Sequence, residues 1–410
     1  MYENQRYFNW ANTEEFASVK GVRTNRDYFV RKFTYGVLVP DKNHPLSCVS
    51  VSNSSLSIDL WSGCGWQCKY CHVQGTMQDL GDNNKMAIHP IFRSSFSVDE
   101  IIDQLVEHPF FVKDKTVISI GTASTEPFAI GPVCDSTFEI MEKFIQRGLQ
   151  NPFWIVTKAG IPRGRKQDIA RICSLTRGLM ISICWADNPD TIEPVKNNRF
   201  NNCEEAKEAG AIISWYMRPI VPEWSGTPER IEMMMLWVSN RYRNSIDMIV
   251  PGGLRWTEGI EYGLTEINGL SMPDIPRDDN IKSLSDELWF CIKTQGNKLF
   301  PKVPIYHRSS CALTNMLKAP SITGVQMFSS ADCENSICPT NQRRVCAKNA
   351  SSFLNTEAIQ CILNNMSIPA KVIKMTTNGI LITDPPLSTF TYAIRKSIEN
   401  RLIMEVSPSG

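Results

Sequence analysis

The chain has 410 residues, of which 42% are hydrophobic and 21% charged, and its formal net charge is +1. It can bury a large core and carry a main domain with appendages, while the near-neutral balance gives no whole-protein electrostatic case for nucleic acid. The N-terminal residues lack the apolar stretch of a signal peptide and no apolar run approaches the length of a membrane span, so the expected compartment is the cytoplasm.

In chain order, residues 1–54 form a leading segment of little periodicity, and residues 55–260 alternate strand and helix patterns. The expected strands are Leu56–Leu60, Val117–Ile120, Phe153–Val156, Leu179–Ile183, Ala211–Met217 and Ile246–Val250. Between them, Ser97 caps a helix whose stripe is Ile101, Ile102, Leu105 and Val106, and further helical periods cover 136–147, 165–174, 200–209 and 228–242. Six such units predict an α/β fold, a partial (β/α)6 TIM-like barrel, with function at the carboxyl ends of its strands. Pro251-Gly252-Gly253 reads as a turn whose glycines permit close backbone approach. Residues 261–350 read as a connection, with a helix near 283–293, leading into a cysteine-rich extension. The tail, 351–410, reads as a small α+β unit: helix Leu354–Asn364, strands Val372–Met375 and Ile380–Thr383 around Asn378-Gly379, then helix Leu387–Arg401.

Fourteen cysteines could suggest a disulfide scaffold, but seven fall in two groups, which metal binding explains better. The first group is Cys64-Gly-Trp-Gln-Cys68-Lys-Tyr-Cys71, following the first strand. Its spacing lets one short loop fold three thiolates around a single [4Fe–4S] cube and leaves one iron without a protein ligand. The second strand ends in Gly121-Thr-Ala-Ser-Thr125-Glu126-Pro127, which offers amides, hydroxyls and a carboxylate to a bound zwitterion. Lys158 follows the third strand, and Ser182 and Cys184 end the fourth.

The CxxxCxxC pattern, with an aromatic residue before its last cysteine, resembles the motif of the radical S-adenosylmethionine (SAM) superfamily. That resemblance implies an enzyme in which the open iron chelates SAM. An electron from a donor such as flavodoxin or ferredoxin then cleaves SAM to methionine and a 5′-deoxyadenosyl radical, which takes hydrogen from a substrate carbon. Within the superfamily the chain is similar to spore photoproduct lyase and related DNA-photolyase-like proteins. The matching residues are Gly63 through Cys71, the loop 121–127, Thr157-Lys158, Ile181-Ser182-Ile183, Glu193-Pro194, Arg199, Glu208-Ala209-Gly210 and Pro219-Ile220-Val221-Pro222. The resemblance implies that Thr125, Lys158 and Ser182 contact SAM, with Glu126 beside them. Where spore photoproduct lyase has a hydrogen-donating cysteine this chain has Ser124, and where its relatives have tyrosine after the third cluster cysteine it has His72; Cys184 is the alternative hydrogen donor.

The second group, Cys311, Cys333, Cys338 and Cys346, can complete an auxiliary [4Fe–4S] cluster or a four-thiolate zinc site. From 341 to 401 the cations Arg343, Arg344, Lys348, Lys371, Lys374, Arg395, Lys396 and Arg401 face only three carboxylates, the one local hint of a nucleic-acid partner. The expected activity is thus radical SAM chemistry, as a lyase, oxidoreductase or transferase, on a small metabolite or peptide. The alternatives are repair or modification of a nucleic-acid base and, from another class, a non-catalytic iron–sulfur sensor or electron carrier.

Overall fold

The computed structural model describes residues 45–51, 55–66, 68–71, 92–108, 111–122, 124–193, 199–256, 258–265, 267–274, 284–319, 336–349, 356–365, 371–375 and 381–384. His72, Cys333, the turn at Asn378-Gly379 and the expected helix Leu387–Arg401 lie outside them.

The core is a sheet of β1 (Val49–Val51), β2 (Leu56–Ile58), β5 (Ile118–Ile120), β6 (Phe153–Thr157), β7 (Leu179–Cys184), β8 (Ile212–Tyr216) and β9 (Met248–Ile249), in that spatial order. β1 pairs antiparallel with β2; the six strands from β2 to β9 are parallel. These are the six strands expected from the apolar runs bounded by turn residues, with some ends shortened and β6 and β7 each one residue longer. A short ribbon, β3 (Trp61–Ser62) with β4 (Phe92–Arg93), brackets the first cysteine segment.

Strand periodicity separates two faces. Ile58, Ile120, Ile155, Ile181 and Ile213 stand in one register row and belong to the main core. Against this face pack α1 (Val98–Val106), α2 (Gly131–Gln146), α3 (Lys166–Leu175), α4 (Cys203–Glu208), α5 (Pro228–Tyr242) and α7 (Asp286–Leu299), through residues such as Ile102, Phe144, Ile172, Ala206, Met235 and Ile292. Helix α6 (Glu258–Thr265) belongs to a different cluster.

The alternate phase builds the opposite face from Ser57, Ser119, Trp154, Met180, Ser182, Ser214 and Tyr216. It is covered by α8 (Ser309–Leu317), whose Ala312, Leu313 and Met316 pack with Trp154, Met180 and Tyr216. Beyond β9, Ile305 bridges Ile249 in parallel and Ile337 antiparallel, so the extension is stitched to the sheet edge. A parallel sheet with helices outside and one element inside is consistent with an incomplete barrel.

Local chemistry sets several helix starts. In α1, Ser97 and Glu100 form the expected capping box, with Glu100 N donating to Ser97 Oγ at 3.2 Å and Ser97 N to Glu100 Oε2 at 2.7 Å. Helix α2 begins five residues before the expected Ser136, because Pro132 suits a first turn that needs no amide donor. Helices α8 and α9 (Thr340–Asn349) were not expected. The tail has the expected helix, α10 (Thr356–Asn365), and the expected hairpin strands, β10 (Lys371–Met375) and β11 (Leu381–Asp384). Among the described residues no helix is long and apolar enough to cross a membrane.

Candidate functional site

The first cysteine group leaves β3 through Gly63, whose φ of 83° suits a residue without a Cβ. The segment is pinned rather than free: Lys69 N donates to Ile192 O at 2.9 Å and Cys71 N to Cys68 O at 3.0 Å. Trp66, Cys68, Tyr70 and Cys71 pack into a third apolar cluster with Ile192, Val221, Trp224, Leu254 and Trp256. Burial pushes the Cys64 thiol up to about 11 and that of Cys68 to about 12, although Lys158 pulls Cys68 the other way. Cys71 couples electrostatically to both. Among the described residues no three ligating side chains already form a metal-holding group. The donor set nevertheless fits an iron–sulfur cluster, because three soft sulfurs share one loop beside cations that balance thiolate charge. Loading it would release the thiol protons.

Beside this loop lies a buried ionic network. Glu193, with no accessible surface, receives the Tyr70 hydroxyl, the Arg199 guanidinium and Lys158 Nζ, the last at 3.2 Å. Lys158 Nζ also donates to the Tyr70 oxygen and stands 4.2 Å from that ring's centroid. Asn188 Nδ2 reaches Glu193 at 3.4 Å and is itself fixed by Ser225 at 2.9 Å. Burial raises the Glu193 carboxyl, but Lys158 and Arg199 outweigh it and hold it below the ordinary value. Burial likewise opposes the Lys158 ammonium, but Cys68, Glu193 and Tyr70 outweigh that and hold its pKa well above the usual one. Tyr70, the aromatic residue inside the cysteine motif, thus couples the loop to Lys158 and Glu193.

The loop after β5 is tight: Gly121 has φ +70°, and a Cβ there would meet Thr125 O at 2.7 Å. It presents Glu126, whose carboxylate accepts the Thr157 hydroxyl, Lys158 N at 2.8 Å and Phe128 N at 3.4 Å. Burial raises this carboxyl against those donors. Ser124 donates to Asp59 Oδ1 at 3.1 Å, and Thr125 lines a small apolar pocket with Ile58, Leu60 and Trp61. Ser182 is buried between Val156 and Ser214 and accepts Trp154 Nε1 at 3.0 Å. Of the residues expected to contact SAM, the structure brings Glu126 and Lys158 together, while Thr125 and Ser182 sit in separate packing environments.

At the carboxyl end of β7, Arg199 Nη1 donates to Cys184 O at 2.8 Å and the Cys184 thiol donates to Arg218 O at 3.6 Å. Burial raises the Cys184 pKa, which keeps its S–H bond at neutral pH. Arg218 and Asp59 were not singled out from the sequence. The signal that could have found Arg218 is the alternation Ser214, Tyr216, Arg218, which carries the inner-face phase of β8 past its end.

Two of the second cysteine group, Cys311 and Cys338, pack in the apolar cluster that holds Tyr306. Cys311 on α8, Cys338 just after the Ile337 bridge and Cys346 on α9 all act on buried Tyr306, whose hydroxyl is raised by burial and by these thiols. Gln342 Nε2 lies 3.6 Å from Cys346 Sγ. Of the expected basic stretch, Arg343, Arg344 and Lys371 are exposed, and Arg395, Lys396 and Arg401 lie outside the described residues.

No protein-family model matches the chain, and no curated protein matches it. Among solved structures it is similar to the crystal structure of HydG, a maturase of the [FeFe]-hydrogenase, with 10% identity and a TM-score of 0.35. The match covers 74% of this chain and 61% of that one. A likeness so slight carries no argument, and the functional reading rests on the residues themselves.

Proposed function

We propose that this chain is a radical SAM enzyme. The observation that supports the reading best is the three-cysteine loop beside the carboxyl edge of a parallel sheet, packed directly on the Tyr70–Lys158–Glu193–Arg199 network. Cys64, Cys68 and Cys71 would hold a [4Fe–4S] cluster, which with SAM supplies an electron and a 5′-deoxyadenosyl radical able to take hydrogen from unactivated carbon.

The protein's own contribution is placement. Tyr70 and the apolar cluster around Trp224 fix the loop, Lys158 and Arg199 put positive charge against it, and the Glu126 loop closes its flank. Lys158, Glu126, Thr125 and Ser182 are the proposed SAM contacts, and Lys158 would exchange part of its bonding with Glu193 to serve there. Cys184 is the proposed hydrogen donor to a product radical. Cys311, Cys338 and Cys346, with Cys333, are the proposed ligands of a second centre, iron–sulfur or zinc. The proposed substrate is a small metabolite or peptide.

Electron paramagnetic resonance of the reconstituted, reduced protein tests the reading. A signal of a reduced [4Fe–4S] cluster that changes on adding SAM is the expected result. A signal insensitive to SAM would instead support an electron carrier or sensor.

A further inference from the structure

Arg218 sits two residues past the end of β8, continuing the inner-face phase of Ser214 and Tyr216. Its guanidinium lies 4.5 Å from the Tyr216 ring centroid and is flanked on another side by Gly252, where a Cβ would come within 2.6 Å of Nε. The backbone holds this arrangement from both directions, since Gly252 N donates to Met217 O at 3.2 Å and Ile220 N to Gly252 O at 2.9 Å. Lys158 and Arg199 share the buried carboxylate of Glu193, whereas Arg218 makes no ion pair with any described residue and its Nε is buried without an acceptor. The Ser214 hydroxyl, fully buried on the same strand face, is likewise without a partner. A half-buried guanidinium whose inward Nε has no acceptor favours an anionic partner that completes it.

We infer that Arg218 anchors an oxyanion of the substrate, a carboxylate or phosphate on a small molecule seated beside the carboxyl end of β8. Its place suits that role. Cys184, the proposed hydrogen donor, donates to Arg218 O, and Arg199 donates to Cys184 O, so the anchor lies two contacts from the Glu193 network. The planar guanidinium is held between an aromatic face and a glycine, leaving its edge for bidentate recognition. The assignment to substrate rests on the radical SAM reading; the anion site itself does not.

The test is calorimetric titration of the full-length reconstituted protein with inorganic phosphate and with malonate, in buffer of low chloride. Wild type should bind one of the two saturably, the choice reporting phosphate or carboxylate preference. Affinity should fall at least about tenfold in Arg218→Gln, recover in part in Arg218→Lys, and fall in Gly252→Ala, where the new methyl displaces the guanidinium. Thermal melts matching wild type establish that Arg218→Lys and Arg218→Gln are folded. Failure of wild type to bind either anion, or equal binding by wild type and Arg218→Gln, overturns the proposal. A parallel loss of S-adenosylhomocysteine affinity in Arg218→Gln overturns the assignment to substrate, since the anion would then be the cofactor's own carboxylate. Because the titration involves no SAM cleavage, Arg218-dependent anion binding in a protein that makes no 5′-deoxyadenosine would count against the radical SAM reading alone.

Discussion

Glu193 concentrates the energetic risk of the site in one side chain. It is a carboxylate without accessible surface, facing Lys158, Arg199 and the Tyr70 hydroxyl. Replacing it by glutamine leaves two largely buried cations without their counter-charge, a change that costs about 3–5 kcal/mol when one partner of a buried pair is removed. Urea unfolding of Glu193→Gln against wild type measures this. The pH dependence follows from the lowered carboxyl: its contribution is present above the unfolded value, 4.5, and is lost as pH falls through the lower folded value. Wild type should therefore lose stability more steeply than Glu193→Gln as pH drops below 4.5, and parallel curves would contradict the assignment. A neutral group offers a second check. Ser182→Ala removes the acceptor of buried Trp154 Nε1 and should cost about 1–3 kcal/mol in the same assay. At this scale the cysteine spacing stood out in the sequence, and the structure places the three cysteines on one loop beside the Glu193 network. Arg218 was not, since an arginine after a strand is chemically ordinary until its partners are known to be a glycine and an aromatic ring.

The elements were legible where one physical signal dominated. Buried parallel strands read as short apolar runs bounded by turn residues, and all six announced themselves; the Ser97–Glu100 box likewise marked the start of α1. Ser97→Ala should lower stability by about 1 kcal/mol, read from thermal or urea unfolding. Helix α8 escaped because Ser309-Ser-Cys-Ala-Leu-Thr-Asn-Met-Leu mixes small, polar and apolar residues with no clean stripe, yet it is placed by packing on the inner face of the sheet. Helix α9 is mostly polar, so neither period nor hydropathy marked it. The β3–β4 ribbon, two residues a side, is too short to show a period at all. Packing of α7 on the added edge at Ile305 depends on Gly296, where a Cβ would lie 2.1 Å from Ile305 Cδ1. Gly296→Ala should therefore destabilise by about 1–3 kcal/mol, and adding Ile305→Val, which deletes the clashing methyl, should recover part of that loss. Additive effects of the two changes would show that the contact does not decide the packing.

Across the whole molecule, both faces of the parallel sheet are filled by different parts of the chain. Helices from the βα units cover one face, and α8, from the cysteine-rich extension, covers the other and brings Cys311 near Tyr306. The proposed first and second metal groups therefore belong to one folded sheet, approached from opposite stretches of sequence. Changing Cys311, Cys333, Cys338 and Cys346 together to alanine should remove the second metal and leave the first cluster's iron, as read by metal analysis. The measurement that bears most directly on the central claim is the iron and sulfide content of anaerobically reconstituted wild type and of the triple variant Cys64→Ala, Cys68→Ala, Cys71→Ala, with 5′-deoxyadenosine assayed after reduction in the presence of SAM. The account predicts that the variant loses about four irons and makes no 5′-deoxyadenosine. A variant that keeps its iron, or that still forms 5′-deoxyadenosine, would contradict it.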